Sequence, residues 1–205
     1  MDGTGIYSGY ISLKSITVEE GNTSFFTDDN GVLYNSEKTT LFLYPAAKLT
    51  EEYIIPDGVG TIAPHAFNGA KVKKITMSDS VRTIGKRAFY ECAVLEEMTL
   101  SENLTRIGEY AFFKCVELGE IKIYDKITAV NEYTFGRCYK LRKVELPETI
   151  NTIYSSAFRD CSKLNDINIP ESVLHINGNA FCGCSELAEI TLPKSLKTIG
   201  SGAFQ

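Results

Sequence analysis

The stretch from Leu95 to Glu117 reads LEEMTLSENLTRIGEYAFFKCVE, and the same pattern begins again at Leu118. It recurs to the end of the sequence, with Phe at 89, 112, 135, 158, 181 and 204 and Cys at 92, 115, 138, 161 and 184. Both columns step by 23 residues. A repeat of fixed length in this range is typical of a solenoid, in which each unit forms one coil that packs on its neighbours. The repeat therefore predicts one elongated array instead of ordinary globular domains.

The repeat unit can be written L-x-x-I-x-L-P-x-x-(V/L/I)-x-x-I-G-x-x-A-F-x-x-C-x-x. Its first part alternates between apolar and polar residues, as in Met98-Thr99-Leu100, and alternation is typical of a strand with one buried face. We expect the strands of successive coils to pair in parallel about 4.8 Å apart, in one sheet of about eight strands. The Gly after Ile, as at Gly108, predicts a tight bend. The A-F-x-x-C stretch predicts a turn or a short 3-10 piece on the opposite wall, with its Phe in the core.

Residues 19–53 break this period. Asp28-Asp29-Asn30-Gly31 is a turn signal, because these residue types tolerate positive φ. The runs 32–34 and 41–44 on its C-terminal side are β-prone. Together they predict an enlarged irregular coil with a β-hairpin that projects from the array or lies along it.

The rest of the chain is predicted to continue the same array. Regular repeats fill 54–205, so that 1–205 forms a single solenoid of the mostly β or α/β-type class. Near the start, Tyr7, Tyr10 and Leu13 occupy the Phe, Cys and Leu places of half a repeat. A chain that starts in mid-repeat is expected to be a fragment of a longer one.

Composition narrows the classes of function. The chain carries a net charge of −5 with 43% hydrophobic residues, so it can bury a core. The acidic balance argues against a broad nucleic-acid-binding surface. No apolar run reaches the roughly 18 residues of a membrane helix, and no signal peptide is recognisable in this sequence.

The residues that most often carry chemistry do not form a reactive pattern. Five of the six cysteines share one repeat position, which predicts a reduced packing column, with disulfides between successive coils as the alternative. His65 and His175 lie in loop-like segments and belong to no metal-ligand motif, so we expect no metal and no cofactor. No nucleophile-elbow motif is present, and the carboxylate pair Glu96-Glu97 would point to opposite faces of a strand. We therefore expect a protein that is not an enzyme.

The outward side of the predicted strands is the candidate site. Two interpretations remain open: a solvated sheet with cross-strand charge pairs, such as Glu120 with Lys143 and Lys122 with Glu145, or a polar recognition surface for a protein partner. Such a surface would hold few of the Tyr, Trp and Arg side chains that dominate binding hot spots. Its residues are Lys74, Thr76, Glu97, Thr99, Glu120, Lys122, Tyr124 at the edge, Lys143, Glu145, Asp166, Asn168, Glu189 and Thr191.

The repeat resembles the BspA-like leucine-rich repeat family, whose unit LxxIxLPxxVxxIGxxAFxxCxxL is best matched in 141–164 and 164–187. The irregular coil is similar to the family's N-x-x-F-x-x-x-x-x-G-V-L-Y module with a later L-x-x-Y-P, here Asn22 to Tyr34 and Leu41 to Pro45. The resemblance implies a right-handed leucine-rich repeat coil that covers nearly the whole chain.

The same resemblance implies a function. Proteins of this family are bacterial (or protozoal) surface or secreted proteins implicated in adhesion, so we expect a non-catalytic protein-binding or adhesion module, located extracellularly or on the cell surface. Its partner would be a protein, for example of the host matrix or of another cell surface. Two alternatives stay open: a passive structural stalk that presents other domains, and an accessory repeat domain of an enzyme or glycan-binding protein.

Overall fold

The computed structural model of the protein describes residues 12–205. Tyr7 and Tyr10, predicted to belong to an N-terminal half-coil, lie outside the described residues. The described chain is a solenoid of parallel β-ladders, as the repeat predicts. Its strands are β1 (Phe25–Thr27), β2 (Leu33–Asn35), β3 (Thr40–Leu43), β4 (Leu49–Ile55), β5 (Thr61–Ile62), β6 (Lys71–Met77), β7 (Thr83–Ile84), β8 (Glu97–Thr99), β9 (Arg106–Ile107), β10 (Glu120–Lys122), β11 (Ala129–Val130), β12 (Lys143–Glu145), β13 (Thr152–Ile153), β14 (Asp166–Ile167), β15 (His175–Ile176) and β16 (Thr198–Ile199).

Each coil contributes strands to two walls, whereas the sequence predicted one parallel sheet. The strand wall holds β4-β6-β8 and β10-β12-β14, from the alternating segments. The second wall, here called the Thr-Ile wall, holds β3-β5-β7-β9 and β11-β13-β15-β16, built mostly from dipeptides such as Thr83-Ile84. Ile84 pairs with Ile107 one coil later. A strand of two residues is too short to show an alternating pattern, so the sequence did not reveal this second ladder.

The strand wall is also shorter than predicted. It contains six strands in the described chain, because 13–18 and 187–192 are not strands. In addition, neither β8 with β10 nor β9 with β11 is paired within the described residues, so both ladders are interrupted at one coil boundary. Gly119, which leads into β10, weakens a strand because it has no side chain to pack.

The third wall is formed by the A-F-x-x-C segments and is here called the turn wall. Along it, backbone N–H groups donate alternately to a carbonyl of the next coil and to a carbonyl of the same turn. The N–H groups of Arg87, Phe89 and Glu91 donate to carbonyls of the next coil at 2.8–3.0 Å. The residues between them donate back three positions, as Tyr90 does to the Arg87 carbonyl at 3.1 Å. The turn wall therefore leaves few backbone groups without a partner, as a buried turn requires.

This hydrogen-bond pattern requires a left-handed backbone conformation at residues that are not glycine. Arg87 has a φ of 56° and Glu91 a φ of 58°, and the same two places are left-handed in other coils. Such a conformation costs a non-glycine residue on the order of 1–3 kcal/mol. The inter-coil and intra-turn hydrogen bonds offset that cost. The non-glycine members of the two columns are His65, Arg87, Tyr110, Tyr133, Ser156 and Asn179, and Glu91, Lys114, Arg137 and Asp160.

A ladder of phenylalanine rings fills the core, as predicted. Phe89 and Phe112 stack with centroids 5.1 Å apart and planes only 3° from parallel, and the next step, Phe112 to Phe135, measures 5.4 Å. Phe112 is fully buried, whereas Phe204, on the last coil of the described chain, is 42% exposed. The ladder runs uninterrupted past the boundary at which the strand pairing stops.

We predict that Phe112→Ala lowers the free energy of unfolding by about 3–5 kcal/mol, because it leaves a cavity between two stacked neighbours. Denaturant unfolding followed by circular dichroism measures the loss. Phe204→Ala is the matched control and should cost clearly less, since its ring is partly solvated. Equal losses at the two positions would contradict the stacked core.

The glycines after Ile were predicted to make tight bends, and a turn does begin directly after Gly85, Gly108 and Gly200. Gly85, Gly108 and Gly200 do not have positive φ. Instead, their coils approach too closely for a side chain: a Cβ on Gly108 would lie 2.5 Å from the Lys86 nitrogen and 2.7 Å from the Gly85 carbonyl carbon. Both atoms belong to the backbone and cannot move aside without disturbing the coil.

We therefore predict that Gly108→Ala destabilises the protein by roughly 1–3 kcal/mol through overpacking. Gly60→Ala is the control, because a Cβ there would meet only the Thr39 carbonyl oxygen at 3.8 Å, an ordinary contact. Thermal unfolding of the two variants should show a lower Tm for Gly108→Ala only. A Gly108→Ala variant as stable as the parent would rule out the close approach.

The irregular coil is joined to the array through its third strand. β1, β2 and β3 are antiparallel neighbours, and β3 then pairs in parallel with β5, Leu41 opposite Ile62. The Asp28 carboxylate accepts the Val32 N–H at 2.9 Å and the hydroxyls of Tyr34 and Tyr53 at 3.3 and 3.2 Å. Burial raises the pKa of both tyrosines, so they remain protonated donors. The predicted hairpin thus lies along the solenoid and is anchored to β4 through Tyr53.

Candidate functional site

The strand wall presents the predicted outward residues in two regular columns. Met98 and Leu100 are buried and Glu97 and Thr99 exposed, so the predicted alternation is confirmed. Asn168 follows β14, and Tyr124 lies just beyond β10 at the edge. Glu189 and Thr191 are exposed in a segment that is not a strand. The strand members are Lys74 and Thr76 on β6, Glu97 and Thr99 on β8, Glu120 and Lys122 on β10, Lys143 and Glu145 on β12, and Asp166 on β14.

The strand register places these residues side by side. Glu120 is opposite Lys143, and Lys122 is opposite Glu145, as the sequence predicted. The contacts differ from that prediction in detail. Glu120 pairs with Arg142 at 2.5 Å, and the Lys122 ammonium lies 5.1 Å from the centre of the Tyr124 ring.

Lys143 and Lys74 each bridge two carboxylates. Lys143 Nζ lies 3.2 Å from Glu145 and 3.7 Å from Asp166, and the hydrogen bond to Glu145 raises the pKa of Lys143. Lys74 has a comparable position between Glu52 and Glu97. Ion pairs this exposed contribute only about 0–1 kcal/mol to stability. The identity of these charges is therefore nearly free of folding constraints.

A depression of about 540 Å³ opens on this face where the strand pairing is interrupted. Gly119 creates it, because the neighbouring coils carry Glu96 and Arg142 at the equivalent position. The depression is lined both by residues that the sequence predicted for this surface and by residues that it did not. Its lining consists of Glu96, Glu97, Met98, Thr99, Glu117, Gly119, Glu120, Lys140 and Arg142.

Sequence reasoning missed the charged pair next to the two columns. Lys140 lies 2.5 Å from Glu117 and adds a cation to the rim of the depression. It does not belong to the alternating strand, so the strand pattern could not reveal it. The signal for the depression itself was present: Gly119 is a small residue at a repeat position that is elsewhere large and polar.

The histidines do not come together with other ligand residues. His175 lies on β15, not in a loop as predicted, and its Nδ1 is 2.8 Å from the Thr198 hydroxyl. His65 is half-buried on the turn wall. In residues 12–205 no three His, Cys, Asp or Glu side chains are placed to hold a metal ion. The same part of the chain contains no helix long and apolar enough to cross a membrane.

The cysteine column packs in the core as free thiols. Cys115 donates from Sγ to the Phe89 carbonyl oxygen of the preceding coil at 3.2 Å, and the other members of the column repeat the contact. Burial raises the pKa of Cys184 to about 12, so its reactive thiolate is scarce. Cys182 lies outside this column and is partly exposed.

We predict that iodoacetamide modifies Cys182 first in the native protein, because only this thiol is accessible and outside the packed column. All six thiols should react after denaturation without reductant. Peptide mass spectrometry locates the modified residues. Cross-linked cysteine peptides from the untreated protein would instead support disulfides between coils.

The turn wall holds a second feature that the repeat pattern did not single out. Tyr90, Tyr110, Phe113 and Tyr133 project from its outer side and contact one another. The sequence signal was the presence of aromatic residues at repeat places that hold small or polar residues in later coils, such as Ser156.

Comparison with known proteins places the chain in a family. The model of the BspA type leucine-rich repeat region matches six copies, over residues 42–165 and 112–205. The chain belongs to the BspA-type leucine-rich repeat family. This confirms the family that the repeat unit suggested. No curated protein matches the chain in sequence.

Solved structures of bacterial proteins share the coil. A leucine-rich repeat protein from Eubacterium ventriosum is 36% identical with a TM-score of 0.92, over 100% of this chain and 55% of that one. A leucine-rich cell surface protein from Faecalibacterium prausnitzii is 27% identical, with a TM-score of 0.66, over 88% of this chain and 55% of that chain. The pneumococcal vaccine antigen PcpA is 25% identical, with a TM-score of 0.60, over 92% of this chain and 50% of that chain. The chain thus spans about half the length of these three proteins.

Proposed function

We propose that this chain is a non-catalytic protein-binding module of a bacterial cell-surface or secreted protein, and that it serves adhesion. The observation that carries the proposal is the strand wall. Its outward columns are exposed, ordered by the strand register and almost free of folding constraints. Residues that the fold does not need are available for recognition.

The location and the use in adhesion rest on similar proteins. The similar structures include a cell surface protein and a vaccine antigen, both with the same coil. Repeat arrays in general offer extended surfaces for protein partners. Partners on host matrix or on another cell suit such a location.

The shape of the strand wall also supports a protein partner. The face is broad and polar, and the depression at Gly119 gives it one concave point near its middle. Four carboxylates and two cations line that depression, so a partner would meet fixed charges of both signs. Charge patterns of this kind favour the choice of partner and the rate of encounter more than raw affinity.

Charge reversal tests this proposal. A variant with Glu97→Lys, Glu120→Lys and Glu189→Lys should fold normally, because these charges are exposed. It should lose the proteins that the parent chain captures from host matrix and cell extracts, with affinity for each purified partner reduced at least about tenfold. Surface plasmon resonance on the purified partners measures the change.

The control variant carries Glu102→Lys, Glu148→Lys and Glu171→Lys, which alter net charge equally at exposed positions beyond the strand ends. It should keep every partner. Retention of all partners by the strand-wall variant would exclude this face as the site. A parent chain that captures no protein from any source would favour a passive stalk.

A further inference from the structure

The outer side of the turn wall carries a compact group of one arginine and four rings, here called the arginine–aromatic cluster. It comprises Arg87, Tyr90, Tyr110, Phe113 and Tyr133. Tyr90 stacks on Phe113 at 5.3 Å between ring centres, and Tyr110 stacks on Tyr133 at 4.8 Å. Phe113 joins the two stacks through edge contacts of 5.7 and 5.8 Å to Tyr110 and Tyr133. Four rings from three successive coils thus form one surface unit.

Arg87 lies against this unit. The central carbon of its guanidinium is 5.4 Å from the Tyr90 ring centre and 5.2 Å from that of Tyr110. Both distances are within the range of a favourable cation–π contact. The two rings hold the long side chain in one place, so little conformational entropy remains to be lost when it binds a ligand.

The folding of the turn wall does not require these rings. The later coils place Ser156 and Asn179 where this region has Tyr110 and Tyr133, and Arg159 where it has Phe113. The backbone of those coils keeps the same hydrogen bonds: Phe158 donates to the Ala180 carbonyl at 2.8 Å, as earlier phenylalanines do. The cluster is therefore an addition to the outside of the wall, separate from the phenylalanine ladder of the core.

Gly136 makes room for the cluster. A Cβ at this position would lie 3.0 Å from Phe113 Cδ2 and 3.0 Å from Tyr133 Cδ1. Its φ is not positive, so backbone conformation does not demand glycine here. The absence of a side chain at Gly136 thus leaves space for the rings of Phe113 and Tyr133, which belong to successive coils.

Most charges around the cluster are paired, and the exceptions are Arg87 at its centre and the exposed Glu132 near Tyr110. Arg87 has no ion pair among residues 12–205, and its Nε is enclosed without a hydrogen-bond acceptor. Burial lowers the pKa of His65, and the positive charges of Arg87 and Lys86 lower it further, which indicates a locally positive potential. The other cations nearby each lie in an ion pair, Lys86 with Glu109, Lys114 with Glu91 and Arg137 with Asp160.

We propose that the arginine–aromatic cluster is a docking site for an acidic segment of a partner protein, with an Asp or Glu carboxylate on the Arg87 guanidinium. A fixed, unpaired guanidinium is suited to a carboxylate. Arginine and tyrosine are also the residue types that dominate protein-binding hot spots. The site lies on the turn wall and is independent of the strand wall.

The stacking favours a polypeptide over a carbohydrate. Sugars bind to open ring faces, but Tyr110 has Arg87 from the preceding coil over one face and Tyr133 from the following coil over the other. At Tyr110 the ring edges and the phenol hydroxyl are left for a ligand. Those groups suit the backbone and side chains of a peptide, and the tyrosine hydroxyl can donate to a second carboxylate oxygen.

A displayed random-peptide library provides the test, selected in parallel on the parent chain, on Arg87→Gln and on the strand-wall variant with Glu97→Lys, Glu120→Lys and Glu189→Lys. We expect a motif with a fixed Asp or Glu on the parent chain and on the strand-wall variant, and its loss on Arg87→Gln. Each variant alters only one of the two surfaces. The parallel selections therefore distinguish a failure of this proposal from a failure of the proposed strand-wall site.

A synthetic peptide of that motif then quantifies the contact by isothermal titration. Arg87→Gln should weaken binding at least about tenfold, as should replacement of the acidic residue by its amide, and added salt should weaken binding by the parent chain. Tyr110→Phe, which keeps the ring stack, should weaken it less. Arg106→Gln, at an exposed arginine on β9, is the control and should bind as the parent does.

Two outcomes would overturn the proposal. One is a selection on the parent chain that enriches no acidic motif. The other is an acidic peptide that binds Arg87→Gln as tightly as the parent chain, provided that circular dichroism shows both to be folded.

Discussion

The structure depends on the stacking of each coil on an equivalent copy of itself. Because the period is constant, each residue lies beside its counterpart in the next coil, and hydrogen bonds cross between coils on three walls. The same translation stacks the phenylalanine rings face to face and aligns the thiols with backbone carbonyls. No single contact is strong, but each is repeated, and repetition gives an array its stability through nearest neighbours. This arrangement has local costs. Turn residues adopt a left-handed backbone, and the closest contacts between coils leave room only for glycine.

Periodicity made most of the fold predictable. The 23-residue step gave the solenoid, the alternation gave the buried side of β8, and the Phe and Cys columns gave the core. The Thr-Ile wall escaped prediction because a dipeptide is too short to have a pattern. The close approach at Gly108 was not predicted, because glycine serves bends and close approaches alike. Only the positions of backbone atoms in the next coil distinguish the two.

The candidate surfaces were predictable to different degrees. Outward strand positions follow from alternation, so the columns with Glu97 and Thr99 were found. The ion pairs between them were not, because long side chains choose among several neighbours; Glu120 contacts Arg142, although Lys143 is opposite it. The arginine–aromatic cluster involves turn residues, whose side-chain directions follow from left-handed backbone and not from a simple period. Departures from the repeat, such as Gly119 and Tyr110, were the informative signal in both cases.

The interruption shared by the two β-ladders has a mechanical meaning. Between the coil at 95–117 and the next one, both strand ladders stop in the described chain, and the turn wall and the ring stacks continue. The strand wall keeps the bond from the Gly119 N–H to the Glu96 carbonyl at 3.3 Å, and the Asn131 side chain donates to the Ile107 carbonyl at 2.6 Å. The two coils at this boundary are therefore joined mainly along the turn wall and through the ring stacks. A load applied along the axis, as fluid shear applies to a tethered protein, would meet fewer backbone hydrogen bonds at this boundary than at one where both ladders continue.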